Sequence, residues 1–260
     1  MKMRVLFVGD IYGKPGRKIA SSLIPALRKE EGLDFVFANG ENVAGGFGIT
    51  LPMYHKLERY GIDCITSGNH LWDKKEIIPE IDKLPNLLRP ANYPESVPGR
   101  GVQTFNVVLP THSVSGAVLN LAGRTFMPQV ECPFRTAFKE IEKLDTKIIL
   151  VDFHAESTLE KQALALWLDG KVSAVLGSHT HVQTADERIL PNGTAYITDT
   201  GMTGGVDSVI GVKREKSIRY FTYGMPQRFD TAHGNEHLNG VIIDIDEESG
   251  KALSIRRIKI

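Results

Sequence analysis

Five short apolar runs, each followed by a polar side chain able to bind a metal, constrain the fold of this chain more than any other feature. They span residues 5–8, 35–38, 64–66, 148–151 and 172–176. Nearly continuous apolar runs of this length are typical of strands in parallel sheets whose faces are covered by helices. Ligands of such sheets bind beyond the carboxyl ends of the strands. The residues that follow the five runs are therefore candidates for one shared site.

These following residues carry nitrogen and oxygen donors and no sulfur. They are Asp10, Glu41, Asn42, Asn69, His70, His154, His179 and His181. Each has an ordinary explanation when it is taken alone. Asp10 could cap the next helix, Asn69 could be a turn residue beside glycine, and His154 could be a core histidine. Their joint occurrence after successive strands predicts a metal site instead.

Segments with helical spacing separate the apolar runs. Helices are predicted after Pro15 and over about 52–60, 74–81, 133–144 and 159–168. Further strands are predicted over 102–109 and 114–121, and antiparallel strands over 194–198, 240–245 and 253–258. Repeated strand–helix units imply right-handed crossovers and a largely parallel arrangement. The order predicts an α/β fold with two sheets and outer helices. Residues 1–260 are expected to form one domain, with a loop-rich excursion at about 84–101.

Composition and charge exclude several classes of protein. The chain carries 31 basic and 31 acidic side chains, so its net charge gives no reason to expect duplex nucleic acid or an anionic membrane as a partner. The two cysteines, Cys64 and Cys132, lack the spacing of a thiolate metal site. No apolar run approaches the roughly 18 residues of a membrane span, and the amino terminus lacks a cleavage site. A soluble, cytoplasmic protein is expected.

Seven of the side chains are candidate metal ligands. They are Asp10, Glu41, Asn42, Asn69, His154, His179 and His181. A mixed nitrogen and oxygen set without sulfur suits iron, manganese or zinc. Seven ligands are too many for one tetrahedral zinc but suffice for two ions, which in paired sites lie about 3.5–4 Å apart. His179 and His181 can leave one turn in different directions, which allows them to bind adjacent ions.

The charge of such a centre indicates an anionic substrate. Two dications against Asp10, Glu41 and one bridging hydroxide leave one net positive charge, because amides and neutral imidazoles add none. Phosphate esters fit, since catalysis at phosphorus consists chiefly of positioning and charge neutralisation. The hydroxide is the expected nucleophile, because two metal ions make a bridging water acidic. His70, beside Asn69, is the expected proton donor to the leaving oxygen.

The order of these residues resembles the motif blocks of calcineurin-like metallophosphoesterases. The blocks are Gly9-Asp10, Gly40-Glu41-Asn42, Gly68-Asn69-His70, the isolated His154 and Gly177-Ser178-His179-Thr180-His181. Two departures are specific: Tyr12 stands where a metal-binding histidine is usual, and Glu41-Asn42 where a bridging aspartate is usual. With the glycine-rich segment 204–211 downstream, these departures resemble the YmdB-like branch of the superfamily, and that likeness covers nearly the whole chain.

The resemblance implies a metallophosphoesterase-type four-layer α/β/β/α sandwich with two packed mixed β-sheets. It also implies phosphodiesterase activity towards 2′,3′-cyclic nucleotides, a centre of two iron or similar ions, and a homo-oligomer, either a dimer or a tetramer. When the metal ligands of that branch are assigned to the matching motifs of this chain, Asp10, Asn42 and His181 bind one ion. Asn69, His154 and His179 belong to the other, and Glu41 bridges both. His70 is the implied proton donor.

Two other functions stay open at this level. A phosphomonoesterase could use the same centre. A regulatory module could keep the metal site only to bind a nucleotide or a partner, since Tyr12 in place of histidine could weaken one ion. The glycine-rich segment 44–48 could cradle a phosphate through its main chain. It lacks the Lys and Ser/Thr of a P-loop, so its glycines are expected to let the main chain pass close to the metals.

Overall fold

Two β-sheets pack face to face and carry helices on their outer surfaces in the computed structural model, which describes residues 1–260. The first sheet contains β1 (Lys2–Val8), β3 (Phe35–Asn39), β4 (Cys64–Thr66), β13 (Asn239–Asp246) and β14 (Ala252–Lys259). The second contains β5 (Val102–Val108), β6 (Ser113–Ala122), β7 (Ile148–His154), β8 (Ala174–Ser178), β9 (Arg188–Ile189) and β10 (Ala195–Ile197). A small third sheet joins β2 (Asp10–Ile11), β11 (Met202–Gly205) and β12 (Glu236–His237). The helices are α1 (Gly13–Glu30), α2 (Leu51–Arg59), α3 (Pro133–Ile141), α4 (Thr158–Trp167) and α5 (Arg214–Tyr223).

The alternation of side chains along β1 divides them between two buried cores. Val5 and Phe7 belong to a core between the two sheets, which they share with Leu150 of β7. Leu6 and Val8 belong to a second core, together with the buried faces of α1 and α2. Successive residues of a strand point to opposite faces, so a strand that is apolar at every position must be covered on both. The continuous apolar run is explained by this double burial.

Helices α3 and α4 cover the other face of the second sheet. Val151 and Phe153 of β7 share a third buried core with Ala137 of α3 and Leu164 of α4. The layers therefore follow the order helix, sheet, sheet, helix. The predicted α/β/β/α sandwich with two mixed sheets is confirmed.

The carboxyl ends of the central strands meet at one edge of the sandwich. Strands β1, β3 and β4 run parallel in the first sheet, and β6, β7, β8 and β10 run parallel in the second. Strands β13 and β14 complete the first sheet as antiparallel partners, as expected. Parallel strands end at the same side of a sheet, so the loops that follow β1, β3, β4, β7 and β8 come together.

The helix predicted over 74–81 is wrong. The chain forms three short 3-10 turns there, which are Leu71–Asp73, Lys75–Ile77 and Ile81–Lys83. Pro79 has no N–H to donate to the carbonyl of Lys75, so a continuous α-helix through this segment would lose a hydrogen bond. Residues 84–101 contain no helix or strand, in agreement with the loop-rich excursion expected there.

Two further local predictions need correction. The strand at 194–198 is not purely antiparallel, because β10 pairs in parallel with β8 and antiparallel only with the two-residue β9. Helix α5 has no counterpart in the sequence prediction, because its apolar residues Ile218 and Phe221 face solvent and leave no buried stripe to detect. None of the helices combines the length and the apolar character needed to span a bilayer.

Candidate metal centre

The eight predicted site residues lie together at the strand ends of both sheets. Four are buried, namely Asp10, Glu41, Asn42 and His154. Four are partly buried around them, namely Asn69, His70, His179 and His181. The alternative role for Asp10 as a helix cap is wrong, because Tyr12 precedes the first turn of α1 and Asp10 lies in β2. The loops after five strands therefore converge as the sequence predicted.

Three atoms that could bind a metal lie close to one ring nitrogen of His154. Its Nε2 lies 3.1 Å from Oε1 of Glu41, 3.1 Å from Oδ1 of Asn69 and 3.0 Å from Nδ1 of His179. A ring nitrogen carries at most one proton, so it cannot satisfy three neighbouring lone pairs. A metal cation among Glu41, Asn69, His154 and His179 would satisfy all of them. The donor set fits an ion of the nitrogen and oxygen class.

The other nitrogen of His154 is held by a buried hydrogen-bond chain. The Ser178 hydroxyl donates to Oδ1 of Asp152 at 2.6 Å, so it accepts from Nδ1 of His154 at 3.0 Å. Asp152 also accepts from Asn39 at 3.1 Å and from the Thr66 hydroxyl. With its proton on Nδ1, His154 presents a lone pair on Nε2, as a metal-binding histidine must. The sequence analysis missed Asp152, although a carboxylate in the middle of an apolar strand was the available signal.

A second group of donors comprises Asp10, Asn42 and His181. Oδ1 of Asp10 and Oδ1 of Asn42 are buried and have no hydrogen-bond partner. Nε2 of His181 lies 3.8 Å from Oδ1 of Asp10, and its Nδ1 lies 2.9 Å from the carbonyl of Ile210. Buried carboxylate and amide oxygens without a partner carry a substantial desolvation cost. A cation that accepts both oxygens would remove this cost, so this group also fits a metal ion.

The protonation states in the centre are determined by two buried carboxylates, Asp10 and Glu41, that lie close together. Burial raises the pKa of Asp10. Burial acts to raise the pKa of Glu41 as well, but the neighbouring His154 lowers it to about 2. Burial acts to lower the pKa of His154, yet attraction from Glu41 and Asp10 raises it to about 9. Burial, aided by the charge on His154, lowers the pKa of His179 to about 3. The carboxylates thus draw one positive charge into the cluster, and a metal cation can replace it.

The turn that carries His179 and His181 has an uncommon main-chain conformation. Their φ angles are +97° and +68°, in the region that residues with a side chain rarely adopt. Such angles cost on the order of 1–3 kcal/mol each and persist where surrounding contacts enforce them. Here the two angles turn one imidazole towards His154 and the other towards Asp10. The pair therefore reaches both donor groups from one turn.

A buried ion pair supports this turn. The Nζ of Lys161, on α4, donates to Oδ2 of Asp199 at 2.9 Å and to the carbonyl of Ser178 at 2.8 Å. Asp199 also accepts from the main-chain N–H and the hydroxyl of Thr180, at 3.0 and 2.7 Å, and from the N–H of Gly201 at 2.8 Å. These bonds tie the residues on either side of His179 to α4. Sequence reasoning missed Lys161, whose only signal was a lysine on the apolar face of a helix.

His70 lies at the edge of the centre and is accessible to solvent. Its side chain is 30% exposed, and its Nδ1 lies 2.8 Å from Oδ2 of Asp73. Its main-chain N–H donates to Oε2 of Glu41 at 2.9 Å, which fixes it next to the candidate ligands. A carboxylate on Nδ1 holds the proton there and leaves Nε2 to exchange a proton with a bound molecule. The ring also contacts Phe47 edge-on, with 5.0 Å between ring centroids.

A cavity of about 340 Å³ opens above the centre. Its lining includes the polar side chains of Glu41, His70 and His181 and the apolar side chains of Phe47 and Phe229. Its size lies within the range of about 300–1,000 Å³ typical of small-molecule sites. A small ligand with a charged group and a flat apolar group matches this mixed lining.

Tyr12 is a buried residue that lines this cavity. Its side chain is buried with Met202 and Val212, and its ring meets the ring of His181 edge-on at 5.5 Å. Burial raises the pKa of Tyr12 to about 12, so its phenol stays neutral. Tyr12 therefore packs behind His181.

Gly46 brings the main chain against Tyr12. Its φ is +100°, and a Cβ at this position would lie 2.5 Å from the Tyr12 hydroxyl oxygen. Its carbonyl accepts from Nδ2 of Asn42 at 2.9 Å, which leaves Oδ1 of Asn42 directed at the centre. The close approach that Gly46 allows is to Tyr12, and the approach of segment 44–48 to the metals stays a prediction.

We expect Gly46→Ala to lower both stability and turnover. Gly45→Ala is the matched control, because its φ is +74° but a Cβ there meets no atom within 4 Å. The control should cost about 1–2 kcal/mol from its main-chain angle alone and keep its turnover. Gly46→Ala should cost more and should also displace Tyr12 and Asn42. Thermal unfolding and steady-state assays would measure both effects, and equal behaviour of the two variants would contradict the role of this contact.

This chain is similar to a known protein family and to several known proteins. A family model described as YmdB-like protein matches residues 6–258. A Bacillus subtilis protein named 2′,3′-cyclic-nucleotide 2′-phosphodiesterase is 50% identical over 260 residues, which cover 99% of this chain and 97% of that protein. A solved structure from Mycoplasma pneumoniae, described as a novel phosphatase, has a TM-score of 0.92 at 36% identity and covers 100% of this chain and 94% of its own. A hypothetical protein from Thermus thermophilus has a TM-score of 0.91 at 38% identity, with 99% of each chain covered.

Proposed function

Because the chain belongs to the YmdB-like protein family, we propose that it is a dinuclear-metal phosphodiesterase that hydrolyses small 2′,3′-cyclic nucleotides. The chain is a phosphoric diester hydrolase, in line with its 50% identical relative. The observation that carries the dinuclear proposal is the presence of two separate groups of donors in one buried centre. One group crowds Nε2 of His154, and the other leaves Oδ1 of Asp10 and Oδ1 of Asn42 without partners.

The proposed ligands divide between two ions as the donor groups do. The first ion is assigned to Asp10, Asn42 and His181, the second to Asn69, His154 and His179, and Glu41 to both. Iron is the proposed metal, with manganese or zinc as alternatives suited to the same donors. Bound ions would supply positive charge against the phosphate and an acidic water as the nucleophile.

The protein's own side chains supply a proton and a binding surface. Nε2 of His70 is proposed to hold the proton that the leaving ribose oxygen takes up, and Asp73 keeps the other ring proton on Nδ1. The main-chain bond to Glu41 sets the position of His70 relative to the phosphate. Phe47 and Phe229 are proposed to contact the base and to exclude water from that side of the cavity.

Metal analysis combined with a substrate panel tests the proposal. Protein loaded with Fe²⁺ or Mn²⁺ should hold two ions per chain. It should hydrolyse 2′,3′-cyclic AMP and bis-(p-nitrophenyl) phosphate, and 2′,3′-cyclic AMP should be the better substrate. Fewer than two ions at saturation would overturn the dinuclear assignment. Absence of turnover on both diesters would overturn the proposed activity.

A phosphomonoesterase is the second candidate function. The specific observation in its favour is the description of the Mycoplasma pneumoniae relative as a phosphatase. The same centre could act on either ester, since both place a phosphate against the ions. Relative kcat/KM for p-nitrophenyl phosphate and bis-(p-nitrophenyl) phosphate would decide between them. A homo-oligomer, which the family resemblance implies, is likewise a proposal, and light scattering would test it.

We expect His179→Ala and His181→Ala each to lose a different metal ion. His179 contacts His154, whereas His181 faces Asp10, so each variant removes a donor from one group only. Each variant should retain about one ion per chain in elemental analysis. Electron paramagnetic resonance of the two manganese-loaded variants should give different spectra. Identical spectra, or loss of both ions from either variant, would contradict the assignment of the pair to separate ions. His55→Ala, an exposed histidine of α2, is the matched control and should keep both ions.

A further inference from the structure

Arg89 is a buried charge without a counter-ion. Two lysine or arginine side chains of this chain are buried, and Lys161 pairs with Asp199. Arg89 is only 7% exposed and forms no ion pair. Its Nε donates to the carbonyl of Pro98 and its Nη1 to the carbonyl of Pro90, while its Nη2 makes no hydrogen bond within the protein. Arginine is rarely buried unless a negative group faces it. Asp82 and Glu140 attract the guanidinium of Arg89, but neither forms an ion pair with it, so Nη2 is left free to meet an anion.

Arg89 lines a cavity of about 650 Å³ formed by the loop-rich segment 84–101 and α3. Arg100 and Arg135 line the same cavity, and the Arg89 N–H donates to the Arg100 carbonyl at 2.9 Å, which holds these two residues side by side. Neither Arg100 nor Arg135 forms an ion pair. Three arginines thus line one space, and Nη2 of Arg100 donates to the main-chain carbonyl of Asp82 at 3.2 Å.

The charge around the cavity is positive after its internal ion pairs are removed. Glu95 pairs with Lys139 at 2.9 Å, and Glu140 pairs with Lys143 at 2.7 Å. The lining residues alone sum to plus one, because Lys143 is not among them; with Lys143 counted, the two pairs cancel and leave Arg89, Arg100 and Arg135 against Glu131. Three positive charges against one negative charge give a net charge of plus two. A phosphate monoester carries about this charge with the opposite sign near neutral pH.

We propose that this cavity binds a small molecule that carries a phosphate monoester, at a site separate from the metal centre. Guanidinium groups recognise phosphate through paired N–H donors, and the free Nη2 of Arg89 supplies one of them. Tyr93 lines the same cavity, and its hydroxyl donates to the carbonyl of Gly68 at 3.4 Å. The cavity volume matches that of small-molecule sites, so a nucleoside monophosphate is a suitable probe.

Calorimetric titration of adenosine 5′-monophosphate into metal-loaded protein tests the proposal. The wild-type protein should bind one more equivalent of the nucleotide than the double variant Arg100→Gln/Arg135→Gln does. If the double variant still binds at this cavity, its affinity should be lower by about tenfold for each arginine replaced. In an Asp10→Asn background, where the metal centre is impaired, one binding event should remain and should disappear with the double substitution. Both arginines are exposed, so the double variant should fold, and its unfolding temperature checks this. Arg219→Gln, an exposed arginine of α5, is the matched control and should bind as the wild type does.

Inorganic phosphate and adenosine separate the contributions of the two halves of the probe. Phosphate should bind weakly and lose its binding in the double variant, while adenosine should not bind measurably. Equal stoichiometry and affinity for wild-type and Arg100→Gln/Arg135→Gln protein would overturn the proposal. So would adenosine binding as tightly as the monophosphate. A lower oligomeric mass of the double variant with unchanged phosphate binding would also overturn it, because the arginines would then face a second copy of the chain.

Discussion

Replacing His70 with glutamine is expected to lower the turnover of 2′,3′-cyclic AMP by about 100- to 10,000-fold, while both metal ions stay bound. The proposed proton donor is the ring of His70, and glutamine cannot supply a proton to the leaving oxygen. The main-chain N–H that donates to Glu41 at 2.9 Å is kept in the variant, so the donor groups around Glu41 should not change. Steady-state kinetics and elemental analysis of the same preparation would measure the two quantities.

Two controls separate proton donation from a general disturbance of the site. Asp73→Asn keeps the ring of His70 but weakens the bond to its Nδ1, so it should cause a smaller loss of turnover than His70→Gln. A substrate with a p-nitrophenolate leaving group needs little protonation, so bis-(p-nitrophenyl) phosphate should lose less turnover than the cyclic nucleotide. Equal losses on both substrates would mean that His70 acts in binding, and a loss of metal would mean that it supports a ligand.

The strand ends of this protein could be predicted because each depends on a short, local pattern. An apolar run of four or five residues, buried on both faces, identifies β1, β3, β7 and β8 without reference to the rest of the chain. The donors Asp10, Glu41, His154 and His179 follow those runs within three residues, and the rule that parallel strands end together brings them to one place. The family resemblance then added the division of the ligands between two ions.

Contacts between distant residues could not be predicted in the same way. Lys161 and Asp199 lie 38 residues apart, and no sequence pattern around either residue indicates that the two form an ion pair. The solvated α5 lacks a buried stripe, so periodicity cannot detect it. Arg89 has no local signal of burial either, since its hydrogen-bond partners all lie in the irregular segment 84–101. Long-range pairing, a solvated helix and irregular main chain thus escape prediction from local patterns.

Replacing Lys161 with methionine is expected to lower the free energy of unfolding by about 3–5 kcal/mol. Lys161 is only 1% exposed, and its Nζ lies 2.9 Å from Oδ2 of the buried Asp199. Methionine fills most of the same volume but leaves the Asp199 carboxylate buried without its cation. The carbonyl of Ser178, which accepts from the same Nζ at 2.8 Å, also loses its donor. Chemical denaturation followed by circular dichroism would measure the change.

The same substitution should also reduce metal occupancy, because Asp199 holds Thr180 between the two histidines of the turn. A looser turn lets the φ angles of His179 and His181 relax from +97° and +68°, and the two imidazoles then no longer meet both donor groups. Lys171→Met is the matched control, since Lys171 is exposed and makes no ion pair, and its effect should stay within about 0.5 kcal/mol. If Lys161→Met were as stable as that control, Asp199 would have to be neutral or hydrated, and the ion pair would not be what holds the turn in place. If stability fell but metal occupancy did not, the pair would stabilise the fold alone, and the strained turn would be maintained by the ligands themselves.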